Sequence, residues 1–189
     1  MIDPEESNFS KFITYCRTAQ PHPVNAIERF FEGVVGFPYD NELLLQAYLF
    51  LKIHDIFPDC RDLLLFEKPP YGDFTNVGKC DFVYLTKHQR VVLIETKYID
   101  TRATGDTERK RRNKHRNKVI DQVSRLKETF CDYWKFDPSH IECAVFTTDP
   151  SIAQRGVVAQ IQSDFIAIEE LLAWQSAKFR EAECQTQRE

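Results

Sequence analysis

Hydrophobic positions along this chain follow two different periods, and the changes between them mark out its elements. In "DNELLLQAYLFLKIHDIFP" the apolar residues Leu44, Tyr48, Leu51 and Ile53 can share a helix face, which predicts a helix over about 40–55, capped by Asp40 or Asn41 and ended before Pro58. The preceding "NAIERFFEGVVGFP" predicts a shorter helix stopped by Gly36 and Pro38. The period then shortens. "DLLLFEKPP" reads as a short strand ended by its prolines, "YGDFTNVG" as a loop, and "KCDFVYLT" and "RVVLIETK" as two β-rich runs joined by "KHQ" in a hairpin. After the irregular "DTRATGD", Val119, Val123, Leu126, Phe130 and Trp134 recur at helical intervals, predicting a long helix over 107–134. "IECAVFTTD" is apolar throughout, as a central strand would be. The segment "AQRGVVAQIQSDFIAIEELLAWQSAKF" predicts a short helix or strand, a strand at 165–168, and a closing helix carrying Leu171, Leu172 and Trp174. The end, "REAECQTQRE", predicts a frayed tail.

This order of elements predicts an α/β fold in which a mixed central sheet is flanked by helices. A single domain over 1–189, with an N-terminal helical extension, accommodates it. Phe9, Phe12, Phe30, Phe31 and Phe50 fall in helical patterns and read as core or interface, not as a base-stacking platform. At 42% hydrophobic and 29% charged residues, the composition is that of a globular soluble protein. No apolar run approaches the ~18–20 residues that span a bilayer, and the start lacks a basic and apolar leader, so no membrane association and a cytoplasmic location are expected. The cysteines at 16, 60, 80, 131, 143 and 184 form no CxxC pair, and this argues against a zinc site or a disulfide framework.

Charge changes the picture in one place. The net charge is -4, yet residues 109–118 read "RKRRNKHRNK", placing Arg109, Lys110, Arg111, Arg112, Lys114, Arg116 and Lys118 within one stretch. Such a run is either a solvated helix face or a track for backbone phosphates. A run of one sign repels itself and offers no internal i to i+4 pairing, which favours the phosphate reading. His54, His88, His115 and His140 show no ligand spacing and read as surface or locally bonded histidines.

The hairpin carries the candidate chemistry. Asp81 opens its first strand and Glu95 closes its second, so antiparallel pairing brings the two carboxylates to the same edge of the sheet. Lys97, two residues beyond Glu95, projects to the same face as Glu95. A structural ion pair is the plain alternative, but an acid directly after "VVLI" is costly to bury unless it is paired or binds metal. Two carboxylates and the backbone carbonyl of Thr96 are hard oxygen donors suited to Mg2+, or to Mn2+ in its place. A lysine beside them can orient a water or stabilise charge growing on phosphorus.

These residues resemble a known family. "CDFVYLTKHQRVVLIETK", an acid opening a strand followed by an apolar strand ending in acid-x-Lys, is similar to the motif of the PD-(D/E)XK nucleases, the restriction-endonuclease-like superfamily. The resemblance covers about residues 60–150. It implies a restriction-endonuclease-like fold, Asp81 and Glu95 as metal ligands and Lys97 as the catalytic lysine. Cys80 stands where the family has proline. Gln122 matches the helix glutamine of the exonuclease and RecB-like branches, although Leu126 replaces their tyrosine four residues on; as a residue, Gln122 reads almost equally well as the polar flank of an apolar stripe. Glu42, with Glu28 behind it, matches the acid that many members supply from the first core helix.

The expectation is therefore a Mg2+-dependent deoxyribonuclease, with DNA favoured over RNA only through the resemblance. The alternative is a nucleic-acid-binding subunit of the same fold that does not cut, working in a repair, defence or mobile-element complex. A protein-interaction module leaves the converging acids unexplained. Endonuclease or exonuclease action, and a homodimer or a complex subunit, stay open.

Overall fold

The structure, a computed structural model, describes residues 4–20, 22–36, 40–71, 78–102, 104–152 and 161–186. Helices α1 (Pro4–Ala19), α2 (Val24–Gly36) and α3 (Asn41–Leu51) and the single turn α4 (Ile53–Ile56) lead into strands β1 (Cys60–Lys68), β2 (Cys80–Thr86) and β3 (Val91–Lys97). Helix α5 (Asp106–Trp134), strands β4 (Ile141–Thr147) and β5 (Gln162–Phe165) and helix α6 (Ile168–Thr186) complete the order. The five strands lie in sequence order, with β1, β2 and β3 antiparallel and β3, β4 and β5 parallel. The expected mixed α/β sheet is what forms.

Strand alternation sorts the core into two layers. Phe82, Tyr84, Val92, Ile94, Ala144 and Phe146 pack against α2, α3 and α6. Val83, Val91 and Leu93 face Phe12 of α1 and Leu126 and Phe130 of α5. Farther along α5, Val119 and Val123 cover Cys143 and Val145. The stripe read from the sequence is thus the face that seats α5 on the sheet. Its N-terminal half is polar. There Asp106 and Glu108, favourable at the positive end of the helix dipole, also pair at i, i+3 with Arg109 (2.7 Å) and Arg111 (3.7 Å). The basic run therefore gains local pairing from the residues just before it, contrary to expectation. Lys135, in left-handed backbone at φ 57°, ends the helix.

Three elements differ from their predicted form. The helix expected over 40–55 breaks at Lys52, whose N–H bonds back to Tyr48 and Leu49 while its backbone leaves helical geometry; the one-turn α4 after it buries Ile53. The strand expected at 165–168 lies instead at Gln162–Phe165, because Ile166 and Ile168 turn inward as core residues. Its paired residues are mostly polar, which hid it from a hydrophobicity pattern. The tail expected to fray is helical through Thr186. The segment 153–160, predicted as a short helix or strand, and the loop residues 72–77 lie outside the described residues, as does Pro38.

Cys16, Cys60, Cys80, Cys131 and Cys143 are free and buried, and among the described residues no helix is long and apolar enough to cross a membrane. Phe130 is the centre of the α1–α5 packing, with ring centroids 5.0 Å from Phe12 and 5.6 Å from Phe136. Phe130→Ala should cost about 3–5 kcal/mol of stability, read as the shift in a urea unfolding curve. A loss under about 1 kcal/mol would mean that α1 and α5 are not packed through this ring.

Candidate active site

Register gathers the site. Phe66 pairs with Phe82 and Lys68 with Cys80 across β1 and β2, and Phe82 pairs with Ile94 across β2 and β3. One residue on, the same registers set Glu67, Asp81 and Glu95 in a row across three adjacent strands. Like charges directly opposite one another destabilise a sheet, so this row needs compensation from outside it.

Each acid is held differently. Asp81 Oδ2 accepts from both the N–H (2.7 Å) and the hydroxyl (2.6 Å) of Thr96. Glu95 is only 3% exposed; its Oε2 accepts from Nε2 of Gln122 at 2.6 Å, and its Oε1 is buried without a hydrogen-bond partner. Burial pushes Glu95 up to about 9, with the charges of Asp81 and Glu67 adding to it and Lys97 opposing it. Burial likewise raises Asp81 to about 6 against the two Thr96 bonds, with Glu67 and Glu42 adding to it. The site is built to favour an added positive charge.

Helix α3 serves the site from successive turns of one face. Its N-cap Asp40 accepts from the N–H of Glu42, and both Glu42 carboxylate oxygens accept from Lys97 Nζ, at 2.7 and 2.6 Å. Glu42, expected as a further metal ligand, is therefore engaged by Lys97 in this state. One turn on, buried Gln46 donates to Glu67 Oε1 at 3.0 Å, and Glu67 itself sits in left-handed backbone at φ 52°. Glu67 and Gln46 were missed in the sequence, although an acid inside "LLLFEK" and a glutamine inside "LLLQAYLFL" both interrupt apolar runs as Glu95 does. His115, read as a surface or locally bonded histidine, lies half-buried, its pKa lowered first by burial and then by Lys97, Arg111 and Lys118.

The donor set fits a hard divalent cation: it offers carboxylate oxygens, and one of them is buried with nothing to bind. Among the described residues no group of three or more His, Cys, Asp or Glu side chains is placed to hold a metal ion, so any cation here would rest on the two carboxylates of Asp81 and Glu95 and on backbone oxygen.

A polar hollow of about 750 Å3 on α5 is lined by Lys114, Lys118, Asp121 and Arg125 and reaches Gln122, the partner of Glu95. Lys110, Lys114 and Lys118 are exposed, whereas Arg112 is half-buried. Arg116 points inward, its guanidinium on Asp149 Oδ2 at 2.7 and 2.6 Å. Asp149, 1% exposed, also accepts from the N–H and hydroxyl of Ser151. Arg116 thus ties α5 to the end of β4, and the basic run divides into a clamp and a solvent-facing row.

No protein-family profile matches this sequence, and no curated protein matches it. Among solved structures the chain is similar to a repair endonuclease from Pyrococcus abyssi, at 12% identity and a TM-score of 0.44 over 68% of this chain and 48% of that one. It is also similar to EndoMS in its complex with double-stranded DNA, at 12% identity and a TM-score of 0.39 over 67% of this chain and 44% of that one. The chain corresponds to a little under half the length of either.

A carboxyl with a folded pKa above its unfolded value binds more protons in the native state, so stability must fall as pH rises between the two values. For Asp81 and Glu95 that window opens near the ordinary carboxylate range of about 4, and it closes at about 6 and about 9. Without divalent cations, urea midpoints should drop from pH 5.5 to pH 8.5, and Glu95→Gln should remove most of the drop. An equal drop in the variant would place the responsible group elsewhere.

Proposed function

We propose that this chain is a divalent-metal-dependent nuclease of the PD-(D/E)XK type that hydrolyses DNA phosphodiester bonds. The observation that carries the reading is the pairing of Asp81 and Glu95 at the hairpin edge, with the buried Oε1 of Glu95 left without a partner. Asp81, Glu95 and the Thr96 carbonyl would hold Mg2+ or Mn2+. When bound, the ion would polarise a phosphoryl oxygen and make a water nucleophilic at neutral pH.

The residues divide the remaining work. Lys97 offers an ammonium two residues from Glu95 on the same strand, able to orient the attacking water or stabilise charge gathering on phosphorus. Glu42 fixes that ammonium through both carboxylate oxygens. Gln122 holds one oxygen of Glu95, and the other oxygen would be available to a bound cation. Lys114, Lys118 and Arg125 line the hollow with a single acid, Asp121, among them, and exposed Lys110 lies one turn before Lys114; the basic excess suits backbone phosphates, and Arg116 holds that helix in place.

A second reading has one observation in its favour. The closed Lys97–Glu42 ion pair is also what a DNA-binding subunit that has given up cleavage would keep.

Cleavage of linear, circular and branched DNA in Mg2+ separates the two. Under the nuclease reading Asp81→Asn and Glu95→Gln should each reduce cleavage by at least ~100-fold while DNA binding survives. Wild-type protein that binds DNA yet leaves all three substrates intact would establish the second reading. Lys97→Ala should lower turnover more than affinity, because its interaction strengthens as charge develops; a change in affinity alone would make Lys97 a phosphate-binding residue.

A further inference from the structure

A groove of about 460 Å3 opens at the Glu67 end of the acidic row, between the start of α2, the end of β1 and the start of β2. Its wall is aromatic. Phe82, buried under α2, lies 5.2 Å from Phe66; Phe66 lies 5.0 Å from Phe31 and 6.3 Å from Phe30, ring centroid to ring centroid. Phe30 is the outer end of this series, 46% exposed yet backed by packed rings. A large aromatic held rigidly at the surface offers a flat apolar face at little cost in conformational entropy.

The rim of the groove is cationic. Lys68, opposite Cys80 in the β1–β2 register, and Lys79, immediately before β2, both line it, as does His22. Among the described residues neither lysine has an acidic partner within ion-pair distance, unlike Lys97 or Arg116. The floor connects to the candidate active site through Glu67, which lines the groove and stands cross-strand from Asp81. Neighbouring strand positions lie roughly 5 Å apart. The groove therefore ends one strand away from Asp81, at Glu67.

We propose that this groove takes one unpaired nucleotide of the DNA substrate, its base stacked on Phe30 and its flanking phosphates met by Lys68 and Lys79. This rests on the nuclease reading of the adjacent carboxylates and narrows it to DNA with a single-stranded nucleotide beside the cleaved bond, such as a frayed end, a flap or a single strand. A paired duplex cannot fill the groove, because its base faces are already stacked. Stacking tolerates every base and ammonium groups read only phosphate, so no sequence preference arises here. The volume falls within the roughly 300–1,000 Å3 of small-ligand sites.

The test measures binding in EDTA, where no cutting occurs, so its outcome is independent of whether Asp81 and Glu95 support hydrolysis. The probes are a blunt duplex and the same duplex with a short unpaired tail containing 2-aminopurine. The tailed DNA should bind more tightly, with its 2-aminopurine fluorescence quenched on binding. Phe30→Leu keeps apolar packing against Phe31 and Phe66 but removes the stacking face. It should weaken tailed DNA by roughly 5- to 100-fold, abolish the quenching and leave the blunt duplex unchanged, while Phe30→Trp restores both signals. Replacing Lys68 and Lys79 together by Gln should reduce the salt slope on the tailed DNA by about 0.7 for each phosphate no longer neutralised. Tailed DNA bound equally by wild type and Phe30→Leu would overturn the proposal, as it would if an apolar protein partner fills the groove instead. An equal loss on both DNAs would overturn it as well.

Discussion

Glu95 is the constraint around which the rest of the site is arranged. An ionised carboxylate at 3% exposure, beside Asp81 and near Glu67, loses hydration and gains like charges, so the empty site must hold it protonated or compensate it. Gln122 satisfies one oxygen, the backbone N–H of Asp81 favours the charged form only as a minor influence, and Oε1 has no partner at hydrogen-bond distance. A sheet built only for stability would place an apolar residue there. Under the proposed function a cation would make the arrangement favourable, because its charge would offset the like charges of Asp81 and Glu67.

The surrounding helices are anchored by the same acids. Helix α3 reaches the sheet through Glu42 on Lys97 and Gln46 on Glu67, one turn apart, while Leu45 and Leu49 beside them are buried in the core. Helix α5 reaches it through Gln122 on Glu95 and through Arg116 on buried Asp149. Breaking a buried ion pair by removing one partner is strongly destabilising, so the Arg116 pair fixes the angle at which the basic row leaves the sheet. Electrostatic interactions that look local in this way set the geometry of the basic row and the carboxylate cluster together.

Much of this was legible in the sequence because it depends on period and local order. The hairpin at "CDFVYLTKHQRVVLIETK" made neighbours of Asp81 and Glu95, and the stripe from Val119 to Trp134 determined which side of α5 meets the sheet. What was hidden depends on pairing between distant segments. Glu67 joins the row only through the β1–β2 register, and Gln46 matters only because α3 lies over it. Arg116 looked like its basic neighbours until the fold brought Asp149 beneath it, and Phe30 read as core or interface, its helical spacing giving no sign that α2 leaves its ring half at the surface. β5 escaped because an edge strand of polar residues carries no hydrophobic pattern.

The central claim is that the raised carboxyl groups of the hairpin are cation ligands in waiting. If so, Mn2+ must displace a proton from Glu95 when it binds at neutral pH, since the ligand form is the carboxylate. Calorimetric titration of the DNA-free protein with Mn2+ at pH 7.5, repeated in buffers of different ionisation enthalpy, measures that proton directly. The account predicts close to one proton released per ion bound, and loss of both the release and most of the affinity in Glu95→Gln. Mn2+ binding with no proton released, or with undiminished affinity in that variant, would contradict it.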